Sequence, residues 1–148
     1  MQALPSETVE RTVALACAIA AIPAPTFEEE ERARFVAQWL AERGAQVEID
    51  DVGNVITRWR GRGRAKSLLL AAHLDTVFPR ETPLSFERGD GWIRGPGIGD
   101  NALGVAALLT LWELLPMRGL PTPGDVILAA NVGEEGLGNL RGMRALIA

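Results

Sequence analysis

"LLLAAHLDTVFP", Leu68 to Pro79, is the stretch on which the fold turns. Five apolar residues run straight into His73, the only histidine of the chain, and Asp75 follows two positions later. A near-continuous apolar run of this length predicts a strand buried on both faces, in the middle of an α/β sheet. Ligands of open α/β sheets gather beyond the carboxyl ends of the strands, which is where His73 and Asp75 fall. Positions i and i+2 of a strand point to the same side, so Asp75 is expected to accept the second ring N–H of His73.

Further along, the same arrangement recurs. Val126 to Val132 reads as a second buried strand, and "NVGEEGLG" places Glu134 and Glu135 just past its end. Between the two strands, "GPGIG" leads to Asp100, which opens an apolar helix from Ala102 to Leu115, stopped by Pro116. The front of the chain supplies a helix from Ser6 to about Ala21, broken by "IPAPT". Thr26 with Glu29 three residues on forms a capping-box pattern for a second helix, with Phe35, Val36, Trp39 and Leu40 as its buried stripe and Gly44 as its end. "QVEID" and "VITRWR" flank a turn and predict a hairpin, and a smaller hairpin surrounds Gly89 to Gly91. A last helix begins in "NLRGMRALIA", and its uncapped apolar end reads as the front part of a longer protein.

The 148 residues suit one domain; 47% hydrophobic and 23% charged is ordinary globular composition. A net charge of −4 leaves no basic excess for a phosphate backbone, so no nucleic-acid partner is expected. Lone Cys17 excludes an internal disulfide, fits a reducing compartment, and reads as packing on an apolar helix face. "VALACAIAAI" lacks the positive leader of a secretory signal and is too short to span a bilayer. The expectation is a cytoplasmic protein with no membrane partner. Arg58, Arg60, Arg62, Arg64 and Lys66 read as the solvated end of a hairpin, because Trp59 is the only aromatic among them.

One imidazole with several carboxylates suits a hard-to-borderline divalent cation such as zinc, cobalt or manganese. Each cluster alone has an ordinary account: a polar strand end, a helix N-cap, a solvated acidic pair. Together they favour a metal site, in which one of two adjacent glutamates can bind a cation while the other removes a proton from water. Gly95, Gly97 and Gly99 before a helix also fit a dinucleotide loop, but a carboxylate at position 100 would repel a pyrophosphate there.

"AAHLDTVFP", "GPGIGDNALGVAALL" and "ANVGEEGLGNLRG", in this order and spacing, resemble the dinuclear zinc exopeptidases and deacylases. That family includes aminoacylase, acetylornithine deacetylase, succinyl-diaminopimelate desuccinylase, glutamate carboxypeptidase and peptidase T, and the peptidase-T-like branch is the nearest in flavour. The resemblance implies a three-layer α/β sandwich whose central mixed, mainly parallel sheet is flanked by helices. It implies that His73 binds one metal, Asp100 bridges both and Glu135 binds the second. Glu134 is then the general base and Asp75 clamps His73. It also implies a cis peptide between Asp100 and Asn101, two zinc ions with cobalt or manganese as alternatives, and a small peptide or N-acyl amino acid as substrate. Residues 1–148 would be the N-terminal portion of the catalytic domain. A later acidic ligand, a distal histidine and the inserted lid or dimerisation domain of a homodimeric parent would be absent. The chain itself is then expected to be weakly active or inactive, and a non-catalytic module keeping the fold is the competing reading.

Overall fold

The computed structural model describes residues 4–117 and 121–148. Its order is α1 (Ser6–Ala20), α2 (Glu30–Ala41), β1 (Val47–Ile49), β2 (Val55–Trp59), β3 (Leu68–His73), β4 (Glu87–Gly89), β5 (Trp92–Arg94), α3 (Leu103–Met117), β6 (Val126–Asn131) and α4 (Arg141–Ile147). The main sheet runs β1-β2-β6-β3, and β4 and β5 form the separate small hairpin. The sheet is mixed, as expected. The parallel share is smaller than expected: β3 pairs parallel with β6, while β1 with β2 and β2 with β6 are antiparallel.

Alternate residues of the strands face the helices. Val55 and Trp59, Leu70 and Ala72, and Val126, Leu128 and Ala130 join one apolar cluster with α1, α2 and α3. Helix α3 supplies Val105, Ala106, Leu109 and Trp112 to that cluster. The segment Ile98–Met117 is long and apolar enough to cross a bilayer by composition, yet α3 packs its stripe against α1 and the sheet. Pro116 lies in the last turn of α3 rather than beyond it.

Two local expectations are corrected. β3 is not the central strand: β6 holds that place, β3 is at the edge among the described residues, and Leu68 is half-exposed. An apolar run on both sides reads the same in either place, because strand order is decided by partners elsewhere in the chain. Thr26 does not cap α2, whose N-cap is Glu29 with no side-chain cap. The Thr26 hydroxyl instead donates to Asp75 Oδ2 at 3.0 Å, and its loop runs beside the end of β3 through a Pro25–Thr76 bridge.

Buried polar groups tie the sheet end together. Glu29 accepts from Gly133 N at 2.9 Å and pairs with Arg141 Nη2 at 2.9 Å. Asn54 donates to the Gly142 carbonyl and accepts from Val132 N. Arg32, 2% exposed, donates through Nη1 to the Leu74 carbonyl and through Nε and Nη2 to the Ile22 carbonyl. Burial pulls its pKa down to about 10, against the opposing pull of Asp75, so it is still a cation at neutral pH.

Candidate metal centre

Parallel pairing sets His73 beside Asn131, so β3 and β6 finish at the same end of the sheet. Asp75 lies two residues beyond that end on one strand, and Glu134 and Glu135 three and four residues beyond it on the other. Asp100 arrives from a third direction, in a π-type turn over Ile98–Ala102 where its backbone is extended (φ −130°, ψ 92°). The Asp100–Asn101 peptide is cis. Gly97 precedes it at φ +67°, and a Cβ there would sit 2.9 Å from Thr76 Cγ2, so only glycine takes the turn without displacing Thr76.

One ligand atom each from His73, Asp100 and Glu135 lie within 4.8 Å of one another. His73 Nε2 is 3.0 Å from Asp100 Oδ1 and 4.0 Å from Glu134 Oε2. All five residues singled out in the sequence therefore belong to one neighbourhood. Asp75 does more than the simple clamp expected. The His73 Nδ1–H donates to its backbone carbonyl at 3.0 Å, while its carboxylate oxygen Oδ1 is 3.5 Å from the ring. The Asp75 carboxylate, fully buried, accepts from Glu134 N at 3.0 Å and Glu135 N at 2.9 Å. One carboxylate thus fixes the backbone that carries both glutamates. No spacing in the sequence announced this, because the partners are 59 and 60 residues apart. The same holds for Glu29 and Arg141, 112 residues apart, which brace the turn at Gly133.

Electrostatics describe a site short of positive charge. Among the described residues no lysine or arginine pairs with Asp100, Glu134 or Glu135. Burial raises the Glu135 pKa, and Asp100 and Glu134 raise it further. Burial alone would lower that of His73, but Asp75, Asp100 and Glu134 outweigh it and push it up to about 9. Burial would raise Asp75, yet the hydrogen bonds from His73, the two glutamate amides and Thr26 hold it well below the usual carboxylate range. Both neighbours of the imidazole are acceptors, which favours its doubly protonated form when no cation is bound. A divalent ion at Nε2 would replace one of them. Imidazole and carboxylate oxygens are the donor set that zinc-like ions prefer.

This has a measurable consequence. Cation uptake near neutral pH is expected to release a proton, and apparent affinity to rise with pH until about 9. Titration in buffers of differing ionisation enthalpy reads that proton directly; uptake without release would contradict it. In chelator, the raised His73 pKa contributes stability that is complete below about 6.5 and lost as pH rises through about 9.

An α/β sheet with an imidazole and several carboxylates at the carboxyl ends of its parallel strands defines the class: an α/β scaffold with a candidate metal site. The sequence profile of Peptidase family M28 matches residues 54–147, and the chain belongs to that family. It is 31% identical over 142 residues to the cytosol non-specific dipeptidase of Escherichia coli, covering 84% of this chain and 29% of that protein. It is 30% identical over 147 residues to the succinyl-diaminopimelate desuccinylase of Azoarcus sp., covering 93% of this chain and 39% of that one. The crystal structure of aminopeptidase PepT from Bacillus cereus superposes with a TM-score of 0.78 at 23% identity, covering 92% of this chain and 39% of that one, a likeness of fold. The chain thus spans well under half the length of these relatives.

Proposed function

We propose that residues 1–148 are the N-terminal portion of the catalytic domain of a metal-dependent hydrolase, one that cleaves an amide bond of a small peptide or N-acyl amino acid. The observation that carries the reading is the convergence of His73, Asp100 and Glu135 within 4.8 Å, with the Glu134 carboxylate beside them. The dipeptidase and desuccinylase relatives support the substrate class. His73 would hold one cation, Glu135 the other, and Asp100, with its exposed carboxylate, both. Two divalent ions, zinc with cobalt or manganese as substitutes, would polarise the scissile carbonyl and acidify the attacking water. Glu134 would take a proton from the attacking water and pass it to the leaving amine. Asp75 keeps Glu134 and Glu135 in register by holding both their amides.

The later acidic ligand and distal histidine implied by the resemblance are not in these 148 residues, so we expect the chain alone to be weakly active or inactive. A cytoplasmic setting fits the likeness to a cytosol dipeptidase, and a homodimeric parent fits the wider resemblance. The test compares the full-length protein with residues 1–148 on dipeptides and N-succinyl amino acids. Turnover by the full-length protein that stops in chelator, with the shorter chain at background, is expected. Comparable turnover by both refutes the assignment of a partial site, and turnover indifferent to chelator refutes the metal mechanism.

A further inference from the structure

The stretch from Arg58 to Lys66 carries five cations and no carboxylate in a chain of net charge −4. Read from sequence it is a solvated hairpin end; the structure shows a loop strapped to another. Arg62 N donates to the Thr122 carbonyl at 2.9 Å, Ala65 N to the Pro123 carbonyl at 3.1 Å, and Gly61 N to Asp125 Oδ1 at 2.8 Å. The backbones touch: a Cβ on Gly61 would lie 2.2 Å from the Gly124 carbonyl oxygen, and one on Gly124 2.4 Å from that of Lys66. The apposition follows from the sheet, in which Trp59 and Leu68 both pair with Val126, so that the loop between them crosses the start of β6. It removes backbone freedom before any ligand arrives, which lowers the ordering cost of binding.

Three of the five charges are uncommitted among the described residues. Arg58 and Arg60 share Asp125 Oδ2 at 3.3 Å each, and Asp125 is held below its ordinary pKa by the Gly61 amide and then by these arginines. Arg62, Arg64 and Lys66 are exposed and make no ion pair with any described residue. The strap lies at the Val126 end of β6, opposite the metal centre and about 17 Å from it along the strand. It can therefore hold a partner without entering the chemistry.

We propose that this strapped loop is a docking surface for an acidic polypeptide segment of a protein partner. Carboxylate side chains complement the array, and a flexible acidic segment can follow a short patch while avoiding the acidic remainder of the molecule. A single-stranded nucleic acid uses aromatic platforms as well, and the one aromatic here, Trp59, is edge-on to Trp112 with centroids 5.8 Å apart, packed against the core.

The probe is labelled poly-L-glutamate, read by fluorescence anisotropy against residues 1–148, with single-stranded DNA and anionic vesicles as parallel arms. Saturable binding to polyglutamate that weakens with salt is expected. The combined Arg62→Gln, Arg64→Gln and Lys66→Gln variant should lose at least about 10-fold in affinity with unchanged melting, whereas Arg34→Gln on α2 should lose nothing. If the combined variant does not fold, Arg64→Gln alone should still show a loss of more than about 2-fold. The proposal is overturned by absent binding, by undiminished binding in these variants, or by tighter binding to DNA or vesicles. None of these outcomes depends on the hydrolase reading.

Discussion

Replacement of Glu134 by glutamine in the full-length protein is expected to lower kcat by about 10²- to 10⁴-fold, the usual worth of a positioned general base. Its cation content should not change. Glu134 lies next to the cluster but is not one of the three residues whose ligand atoms meet within 4.8 Å. Its Oε2 is 4.0 Å from His73 Nε2, and its side chain is 39% exposed, open to water and to a leaving group. The amide of residue 134 is held by Asp75, so glutamine keeps the backbone anchor and the side-chain size and loses only the basic oxygen. Loss of cations together with activity would make Glu134 a ligand instead. Wild-type kcat would remove it from the mechanism.

The second large effect is on stability. Arg32→Leu is expected to cost about 3 kcal/mol or more, because it strands the Ile22 carbonyl and the buried Leu74 carbonyl and removes a buried cation whose charge acts on Asp75. In a domain of this size that corresponds to a fall in Tm of roughly 10 °C. Arg32→Lys should recover only part of the loss, since an ammonium is a point donor and the guanidinium reaches two carbonyls on separate segments at once. The Leu74 carbonyl adjoins Asp75, so the damage should also weaken cation uptake. An Arg32→Leu chain as stable as the parent would mean that water satisfies those carbonyls and that the buried cation has no structural role.

Arg32 also marks the limit of what the sequence discloses. The elements were legible because each is written in local pattern: Phe35, Val36 and Leu40 at helical spacing, Val47 to Trp59 in alternation about a turn, "LLLAAH" as an apolar run. The candidate site residues could be singled out because chemistry concentrates just past strand ends and after a glycine-rich turn. The sheet order was not, since the apolar surface of β3 does not say whether one strand or two lie beside it. Nor were the roles of Thr26, Glu29 and Arg141. Thr26 and Glu29 have the spacing of a capping box, and at that range the pattern is indistinguishable from the long-range bonds they make, to Asp75 and to Arg141. Asp75 was expected to serve His73 with its carboxylate; the ring N–H meets its carbonyl at 3.0 Å with the carboxylate 3.5 Å away, and that carboxylate also takes both glutamate amides. Backbone donors leave no mark in a sequence. The strap between Gly61 and Gly124 is hidden for the same reason, as each glycine alone reads as a turn.

Metal titration of residues 1–148 by calorimetry, with the bound ion counted by elemental analysis, bears most directly on all of this. Saturable zinc or cobalt uptake that Asp100→Ala abolishes, in a chain that still folds, is the predicted result. Absence of uptake in the parent chain, or uptake indifferent to Asp100→Ala, would mean that His73, Asp100 and Glu135 are neighbours without being a metal centre.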